Sequence, residues 1–336
     1  KYGVPTVAIH TEKFDRVVRS VTHMAGLRNA ATVFVPQPVM GRTAAELRAY
    51  IEGADPVSGL PVMREVIEAL TIGLPAPEEK RPVPRTTPRL LEPDVEEALH
   101  ERFLENNWTD TLPIVLPTPE RVAAMLAGTS RKPDEIVGRL DPTTNRGKWE
   151  FTVEQVAVNA VMAGAKPAYF PVILALASSG VTARSSTSSS GAAMVVVNGP
   201  VRQEIGMNSG IGAMGPYNHA NATIGRAYGL LSQNLQGGSV PGETYMGSIG
   251  NSHNYNSITF AENEERSPWQ PLHVQKGFEA ADNVVTIFFG CRSTSFGLGL
   301  RETFWREHVR DMLLAVDTVG PPVLLLDPIR ARQFVE

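Results

Sequence analysis

The amino-acid sequence predicts an α/β protein, and three observations support that class. Short β-branched or apolar runs alternate with segments whose apolar residues recur every three to four positions. The chain has 336 residues, which is enough for about two domains. Hydrophobic residues make up 42% and charged residues 20%, a balance that excludes a disordered or fibrous protein.

The first 73 residues are predicted to form a small Rossmann-like βαβ domain. A β-branched run at 4–9 and a short strand at 32–35 flank a segment with helical spacing at 12–25. Strand, helix and strand within about thirty residues imply parallel strands and a right-handed crossover. Further helices are expected at 44–52 and 61–72.

A proline-rich segment is expected to link this domain to a larger one. Prolines alternate with charged residues through 74–93 and prevent both helices and sheet ladders. We therefore place a linker at 74–93 and a main α/β domain at 94–336. Because the chain starts at Lys1 without Met and stops at Glu336 in what looks like a beginning helix, we expect both ends to be cut.

The main domain is predicted to alternate helices and strands around a sheet. Its apolar periodicity predicts helices at 92–104, 118–126, 151–165, 167–177, 220–231 and 300–316. Its β-branched and apolar runs predict strands at 192–197, 258–260, 284–289 and 323–326. The order of these strands in the sheet cannot be read from the pattern.

The charge and cysteine content exclude several function classes. Lys plus Arg number 31 and Asp plus Glu number 35, so the net charge of −4 gives no overall field for nucleic acid or anionic lipid. No apolar run approaches the ~20 residues of a membrane helix and no signal peptide is visible, so we expect a cytoplasmic protein without a membrane partner. Cys291 is the only cysteine, which excludes an intramolecular disulfide in this stretch.

Loops rich in glycine, serine and asparagine occupy much of residues 178–259. On a rigid α/β frame such loops are where binding concentrates, although long surface connections are an equal alternative. Asn218 is placed to cap the helix at 220–231, and the glycines before it would make a carboxylate pocket at the helix start. Arg226, about two turns into that helix, is a candidate partner for a substrate carboxylate.

Five further polar residues are candidate substrate ligands. Asn208, Ser209 and Asn221 would hold a substrate together with the Asn218 amide. Glu154 and Asn159 interrupt the otherwise apolar helix at 151–165, and their spacing makes them separate contacts rather than one face. These residues are the substrate-binding candidates, with ordinary capping and loop hydrogen bonds as the alternative.

The stretch Gly210 to Gly215 matches the letters of the dinucleotide fingerprint but lacks its context. The fingerprint needs a strand ending at its first glycine and an acid about twenty residues further on. The last predicted strand ends at Val197, and the first acid downstream is Glu243, which is too far. We therefore do not expect NAD as a cofactor.

Glu262 and Glu264 are the main catalytic candidates. With Glu265 they place three carboxylates directly after a short apolar strand. If they are buried, their mutual repulsion would raise at least one pKa, which would suit proton transfer or a hard metal ion. If they are exposed, they form an ordinary surface loop. The apolar flanking segments favour partial burial.

His253 and Cys291 are second catalytic candidates. His253 lies in a Gly/Asn/Ser loop, and Cys291 follows an apolar strand, where it would act as a nucleophile only with a histidine nearby. A hydrogen-bonding loop histidine and a small buried thiol are the ordinary alternatives. A metal ion bound by His253 and the acids is possible as a cofactor, but no histidine pair has metal-binding spacing, so the cofactor and its ligands stay unknown.

Several segments taken together resemble the UGSC family of (seleno)proteins. Over residues 100–336 the likeness is carried by 149–164, Tyr169-Phe170-Pro171-Val172, Val197-Asn198-Gly199-Pro200, Asn208-Ser209-Gly210, 221–226, 261–265 and Pro271-Leu272-His273-Val274. Residues 3–38, with Gly3-Val4-Pro5-Thr6-Val7, resemble part of the family's N-terminal α/β domain. The family's namesake motif, selenocysteine or a substitute followed by Gly-Ser-Cys, would lie upstream of Lys1. The resemblance therefore assigns redox chemistry to no residue of this stretch.

Three functional hypotheses follow from these observations. The first is an enzyme that acts on a small polar metabolite containing sulfur or nitrogen, through an Asn/Gly-lined pocket and Glu/His acid–base or metal-assisted chemistry. The second is a non-catalytic binding or assembly subunit. The third, implied by the resemblance, is a thiol–disulfide (seleno)oxidoreductase whose redox motif lies upstream of Lys1. Large apolar segments in both parts also lead us to expect a homo-oligomer.

Overall fold

A computed structural model describes residues 5–15, 18–19, 22, 30–71, 88–140, 149–184, 191–215, 217–236, 250–291, 304–314 and 323–335. For residues 139–140, 149 and 290–291 only the backbone is described. Over these residues the chain is a mixed α/β protein, as the sequence predicts. None of the described helices is long and apolar enough to cross a bilayer.

The N-terminal part contains a parallel strand pair. Strand β1 (Ala8–Thr11) pairs with β2 (Thr32–Val35), with Ala8 opposite Thr32 and Thr11 opposite Val35, which confirms the predicted parallel pairing. The prediction of a strand at 4–9 was too early, because Pro5 has no N–H to donate to a ladder. Most of the predicted helix at 12–25 lies outside the described residues, and the Rossmann-like topology stays a prediction.

Two helices follow this strand pair, as predicted. Helix α1 (Ala44–Glu52) begins with a capping box, in which the Thr43 hydroxyl accepts from the Glu46 N–H and the Glu46 carboxylate accepts from the Thr43 N–H. Helix α2 (Val62–Thr71) packs Val62 against Val33 and Val35 of β2. These residues form the centre of a small hydrophobic cluster.

The second part of the chain supplies the remaining elements. Its helices are α3 (Glu96–Glu105), α4 (Pro119–Leu126), α5 (Val153–Met162), α6 (Phe170–Ser178), α7 (Val201–Glu204), α8 (His219–Asn234), α9 (Leu272–Gln275), α10 (Trp305–Leu314) and α11 (Pro328–Val335). Its strands are β3 (Ile136–Leu140), β4 (Trp149–Thr152), β5 (Ala192–Asn198), β6 (Ile258–Ala261) and β7 (Val284–Cys291). Short 3-10 turns lie at Glu12–Phe14, Pro167–Tyr169 and Ser252–Asn254.

Three sequence expectations need correction. The helix predicted at 151–165 begins only at Val153, because Phe151 and Thr152 belong to β4, which pairs antiparallel with the unpredicted β3. The helix predicted at 167–177 begins as a 3-10 turn before α6. The strand predicted at 323–326 is wrong, since Val323, Leu324 and Leu325 are exposed and form no ladder with the described strands.

The central three-stranded sheet has the order β6-β5-β7. Strand β5 runs parallel to β6 and antiparallel to β7, and all seven of its residues are buried. Val195 and Val197 face the main hydrophobic cluster, which α5, α6 and α8 supply, whereas Met194 and Val196 pack with Ile258. The sheet therefore holds β5 firmly at its centre, and β5 and β6 end at the same edge.

Candidate functional site

Polar side chains converge where the parallel strands β5 and β6 end. Asn198 is the last residue of β5, and Glu262 directly follows β6. The Asn198 Nδ2 donates to Glu262 Oε2 at 2.5 Å and to Glu264 Oε1 at 2.9 Å. Because Asn198 is fully buried, its amide fixes both carboxylates against the sheet. We call Asn198, Arg202, Glu262, Glu264 and Glu265 the carboxylate cluster.

Glu264 is the most firmly held carboxylate of the cluster. Its Oε1 also accepts the Gly199 N–H at 2.9 Å, and its Oε2 accepts from Arg202 Nη2 at 3.1 Å. Burial raises the pKa of Glu264, but the Gly199 N–H, the Asn198 amide and Arg202 outweigh burial and lower it overall. Glu264 is therefore an ionised anchor at neutral pH rather than a proton donor.

Arg202, on the short helix α7, joins two of the three carboxylates. Besides Glu264 it binds Glu265 in a bidentate manner, with Nη1–Oε2 at 3.1 Å and Nη2–Oε1 at 2.5 Å. Burial lowers the pKa of Arg202, but the hydrogen bonds to Glu265 and Glu264 outweigh burial and raise it. The hydrogen bond from Arg202 is the main reason that the pKa of Glu265 is lowered. One cation thus compensates two anions.

Glu262 differs from its two neighbours. Its Oε2 accepts from Asn198 and from the Leu272 N–H, the latter at 2.8 Å, so the carboxylate is fixed in orientation. Its Oε1 accepts no hydrogen bond from the described residues, and no described cation pairs with this carboxylate. Among the three carboxylates, Glu262 is therefore the one with an oxygen that accepts no hydrogen bond from the described residues.

The asparagine loop lies beside the cluster, and Asn221 organises it. The buried Asn221 accepts the Asn208 N–H at 3.1 Å and donates Nδ2 to the carbonyl oxygens of Asn208 and Ala213, both at 3.0 Å. The Ala261 N–H donates to the Asn208 oxygen at 3.3 Å, which joins the loop to the end of β6. Asn221 thus positions the loop next to Glu262 through backbone contacts.

The other polar groups of this loop also contact the backbone. Asn218 caps α8 by accepting the Asn221 N–H at 3.0 Å, as predicted, and donates to the Gly206 oxygen at 2.9 Å. Asn208 accepts the Gly210 N–H at 2.9 Å. Ser209 is half-buried in the same turn. A substrate-binding role for these side chains stays a prediction, because the observed contacts are all within the protein.

Arg226 pairs with a carboxylate that no local sequence pattern marks. Its Nε and Nη2 contact the two Asp110 carboxylate oxygens, both at 2.9 Å, and Nη2 also donates to the Pro113 oxygen at 2.8 Å. The Asp110 side chain is only 2% exposed. Asp110 lies 116 positions before Arg226, so only the fold reveals this pair. It anchors α8 to the segment after α3.

Glu154 and Asn159 lie on α5, and their described hydrogen bonds do not reach the carboxylate cluster. Glu154 forms an ion pair with Arg89, whose hydrogen bond is the main cause of the lowered pKa of Glu154. The buried Asn159 accepts from Asn234 Nδ2 at 2.8 Å and donates to the Gln155 oxygen at 2.9 Å. These described contacts hold neighbouring elements together and involve no member of the carboxylate cluster.

The two second catalytic candidates lie on different elements. His253 is in the 3-10 turn at Ser252–Asn254, where its N–H donates to Asn251 Oδ1 at 2.9 Å. Cys291 ends β7 opposite Ala192, at the other end of β5 from Asn198, and its side chain lies outside the described residues. These two ends of β5 are six positions apart, which is about 20 Å along a strand. The backbone register therefore separates Cys291 from the carboxylate cluster.

The sequence reasoning assigned no role to three residues at this edge. Asn198 and Arg202 complete the carboxylate cluster, and His273 follows Leu272 in α9, fully buried, with both ring nitrogens unpaired among the described residues. Asn198 and His273 lie in segments that carry the family resemblance, but no local pattern marks either residue as functional. In the described part of the chain, no group of three or more His, Cys, Asp or Glu side chains could hold a metal ion.

The fold and the site define a mixed α/β protein with a carboxylate cluster at the shared end of two parallel strands. The model of the UGSC family matches residues 1–58. That match confirms, over those residues, the resemblance predicted from the sequence. No curated protein and no solved structure matches the chain.

Proposed function

We propose that this protein is an enzyme that acts on a small polar metabolite, with Glu262 as the general base. The observation that carries the proposal is the asymmetry of the Glu262 carboxylate. Asn198 and the Leu272 N–H fix one oxygen, while the other accepts no hydrogen bond from the described residues. A general base needs this combination of fixed orientation and an oxygen within reach of a substrate proton.

The charge balance supports a substrate that donates hydrogen bonds. Arg202 contacts Glu264 and Glu265 but not Glu262, which leaves the Glu262 carboxylate without a paired cation among the described residues. The buried Asn198 Oδ1 also has no partner among them. Unpaired acceptors are costly in a partly buried site, so an amine, amide or hydroxyl group would stabilise it. This agrees with the expected nitrogen-containing metabolite.

We assign positioning roles to the other polar residues at this edge of the sheet. Arg202 holds Glu264, Glu264 holds Asn198, and Asn221 holds the loop that carries Asn208 and Ser209 next to the base. The cytoplasmic location and the homo-oligomer predicted from the sequence belong to the same proposal.

A substrate screen with one matched control tests the proposal. The full chain is incubated with a library of small amines, amides and hydroxy compounds, and their conversion is followed by mass spectrometry. Glu262→Gln keeps the side-chain shape but removes the base, so we expect a loss of turnover of about 10²- to 10⁴-fold. Glu204→Gln, an exposed acid on α7, should keep native turnover.

Two outcomes of this screen would contradict the proposal. One is native turnover in Glu262→Gln, provided that circular dichroism shows the same fold in both variants. The other is a library in which no compound is converted by the native chain and none protects it from thermal unfolding.

A second candidate function, a non-catalytic binding or assembly subunit, is favoured by one observation. Ile211 and Tyr217 are almost fully exposed, and Met214 is half-exposed, on the loop that Asn221 holds. Apolar side chains gathered on one surface loop are typical of partner contacts. In that case Ile211→Ser and Tyr217→Ser would change the mass of the particle in light scattering, and the substrate screen would show no conversion.

A further inference from the structure

A cavity opens at the carboxyl ends of β1 and β2, far along the chain from the carboxylate cluster. Strand residues His10, Thr11 and Val35 form one side of it, and Leu47 and Ile51 of α1 form another. Its volume is about 270 Å³. This is slightly below the range of about 300–1,000 Å³ that is usual for small-molecule sites. In open α/β sheets ligands bind beyond the carboxyl ends of the strands, which is where this cavity lies.

The polar groups that line the cavity differ in whether they already form hydrogen bonds within the protein. Thr11 Oγ1 donates to Gln37 Oε1 at 3.2 Å, and the Tyr50 hydroxyl donates to the Pro38 oxygen at 3.3 Å. Both hydroxyls are therefore hydrogen-bonded to the segment that follows β2. The half-buried His10 ring lies beside Phe34, and its nitrogens form no hydrogen bond to the described residues. The His10 ring nitrogens are therefore the polar side-chain atoms of this lining that form no hydrogen bond within the described part of the chain.

The rest of the described lining is apolar, and none of the described residues contributes a charged side chain to it. Ile9 and Val39 border the cavity and are still 46% and 42% exposed, so a ligand would remove their apolar surface from water. An uncharged ligand fits this lining because an ion would lose its hydration without gaining a partner.

We propose that this cavity binds a small uncharged organic molecule with an aromatic or branched aliphatic body and one group that hydrogen-bonds to His10. The site is separate from the carboxylate cluster and does not depend on the proposed enzymatic function. It lies entirely within residues 1–58, the part of the chain that matches the UGSC family model.

Ligand-observed NMR on the full chain, with phenol and toluene as probes of equal shape, tests the proposal. We expect a phenol Kd on the order of 1 mM, given its few atoms. Phenol should bind about three- to tenfold more tightly than toluene, because only its hydroxyl can pair with the His10 ring. His10→Ala should remove this preference while toluene still binds.

Variants that fill the cavity provide the second part of this binding test. Leu47→Trp should abolish the binding of both probes, and Val39→Trp, outside the helices, does the same test with less risk to folding. Leu104→Trp, on the exposed side of α3, is the matched control and should bind phenol normally. Unchanged phenol binding in both filled variants would overturn the site. Equal affinity of the native chain for phenol and toluene would overturn the role of His10.

Discussion

Glu262 and Glu264 lie two positions apart on one loop, yet their surroundings give them different chemistry. Glu264 accepts hydrogen bonds from Asn198, the Gly199 N–H and Arg202, so both of its oxygens are hydrogen-bonded. Glu262 accepts two hydrogen bonds on one oxygen and none from the described residues on the other. Sequence reasoning identified both acids as a pair but could not divide their roles, because the partners come from β5, α7 and α9.

A pH-dependent stability difference is predicted for Glu264. Its side chain and that of Arg202 are only 13% and 8% exposed, so Glu264→Gln should cost on the order of 3 kcal/mol at pH 7. Because its folded pKa is lowered from the usual 4.5, this stabilisation is complete above that value and is lost as pH falls through the folded pKa. Urea unfolding at several pH values measures the difference.

The native chain and Glu264→Gln should therefore converge in stability as the pH falls towards 3. Glu204→Gln, whose acid is exposed, is the control and should differ little from the native chain at any pH. A gap between native and Glu264→Gln that stays constant down to pH 3 would show that the carboxylate charge is not the stabilising feature.

Asn218 and Asp110 illustrate which single residues can be recognised from sequence. The cap formed by Asn218 is local, since its acceptor role involves a residue three positions away, and the prediction is confirmed. Asp110 lies 116 positions from Arg226, and nothing in its own neighbourhood predicts the ion pair. Arg226 was predicted to bind a carboxylate, and the structure shows that a carboxylate of the protein itself contacts it.

Helix α8 approaches β6 closely, and Gly225 is the residue that permits it. A Cβ at this position would overlap the Asn256 oxygen and lie 2.5 Å from Thr259 Oγ1. The close approach places Asn221, one turn earlier, against Asn208 and hence beside the end of β6. From sequence, a glycine inside a helix only lowers the helix propensity, so its packing role was not predictable.

Gly225→Ala is predicted to destabilise the protein by about 1–3 kcal/mol or more, although alanine favours helices by up to ~1 kcal/mol. Gly229→Ala, one turn later on the same helix, is the matched control, because its Cβ would lie 3.3 Å from Arg184 Nη2 and 3.4 Å from the Asn254 oxygen. Thermal unfolding of both variants measures the difference. An equal change in Tm for the two would contradict this account of the α8–β6 contact.

The start of α5 shows what an element boundary depends on. The predicted helix began at 151, whereas Phe151 pairs with β3 and Thr152 caps the helix together with Gln155. The spacing of Thr152 and Gln155 is a capping-box signature that was present in the sequence and would have placed the start correctly. The pairing of β4 with β3, by contrast, is a long-range contact without a local signal.

Two of the described hydrophobic clusters draw their residues from different parts of the chain. One is centred on Val33, Val35 and Val62 in the N-terminal part, and the largest one contains Ile173 and other residues from 103 to 235. Neither cluster shares a residue with the other. The domain boundary at 74–93 rests on composition alone and stays a prediction, since residues 74–87 lie outside the described part.

If the two parts are separate domains, unfolding in denaturant should show two transitions. Val62→Ala should shift one of them by about 2 kcal/mol, and Ile173→Ala should shift the other by about 2–5 kcal/mol, because each removes fully buried side-chain volume. Circular dichroism against urea concentration measures both transitions, and tryptophan fluorescence reports the second part alone, because the four tryptophans lie at 108, 149, 269 and 305. A single transition that moves in both variants would contradict the two-domain organisation.

The sequence by itself determined the α/β class, most helices and strands, and the position of polar loops around Glu262 and Asn221, because periodicity, capping and composition are local properties of the chain. Only the tertiary structure decided that Asn198 and Arg202 meet the acids, that β7 runs antiparallel to β5, and that Arg226 is paired with Asp110. These contacts join segments tens of residues apart, and their stability depends on burial and geometry that no local pattern encodes.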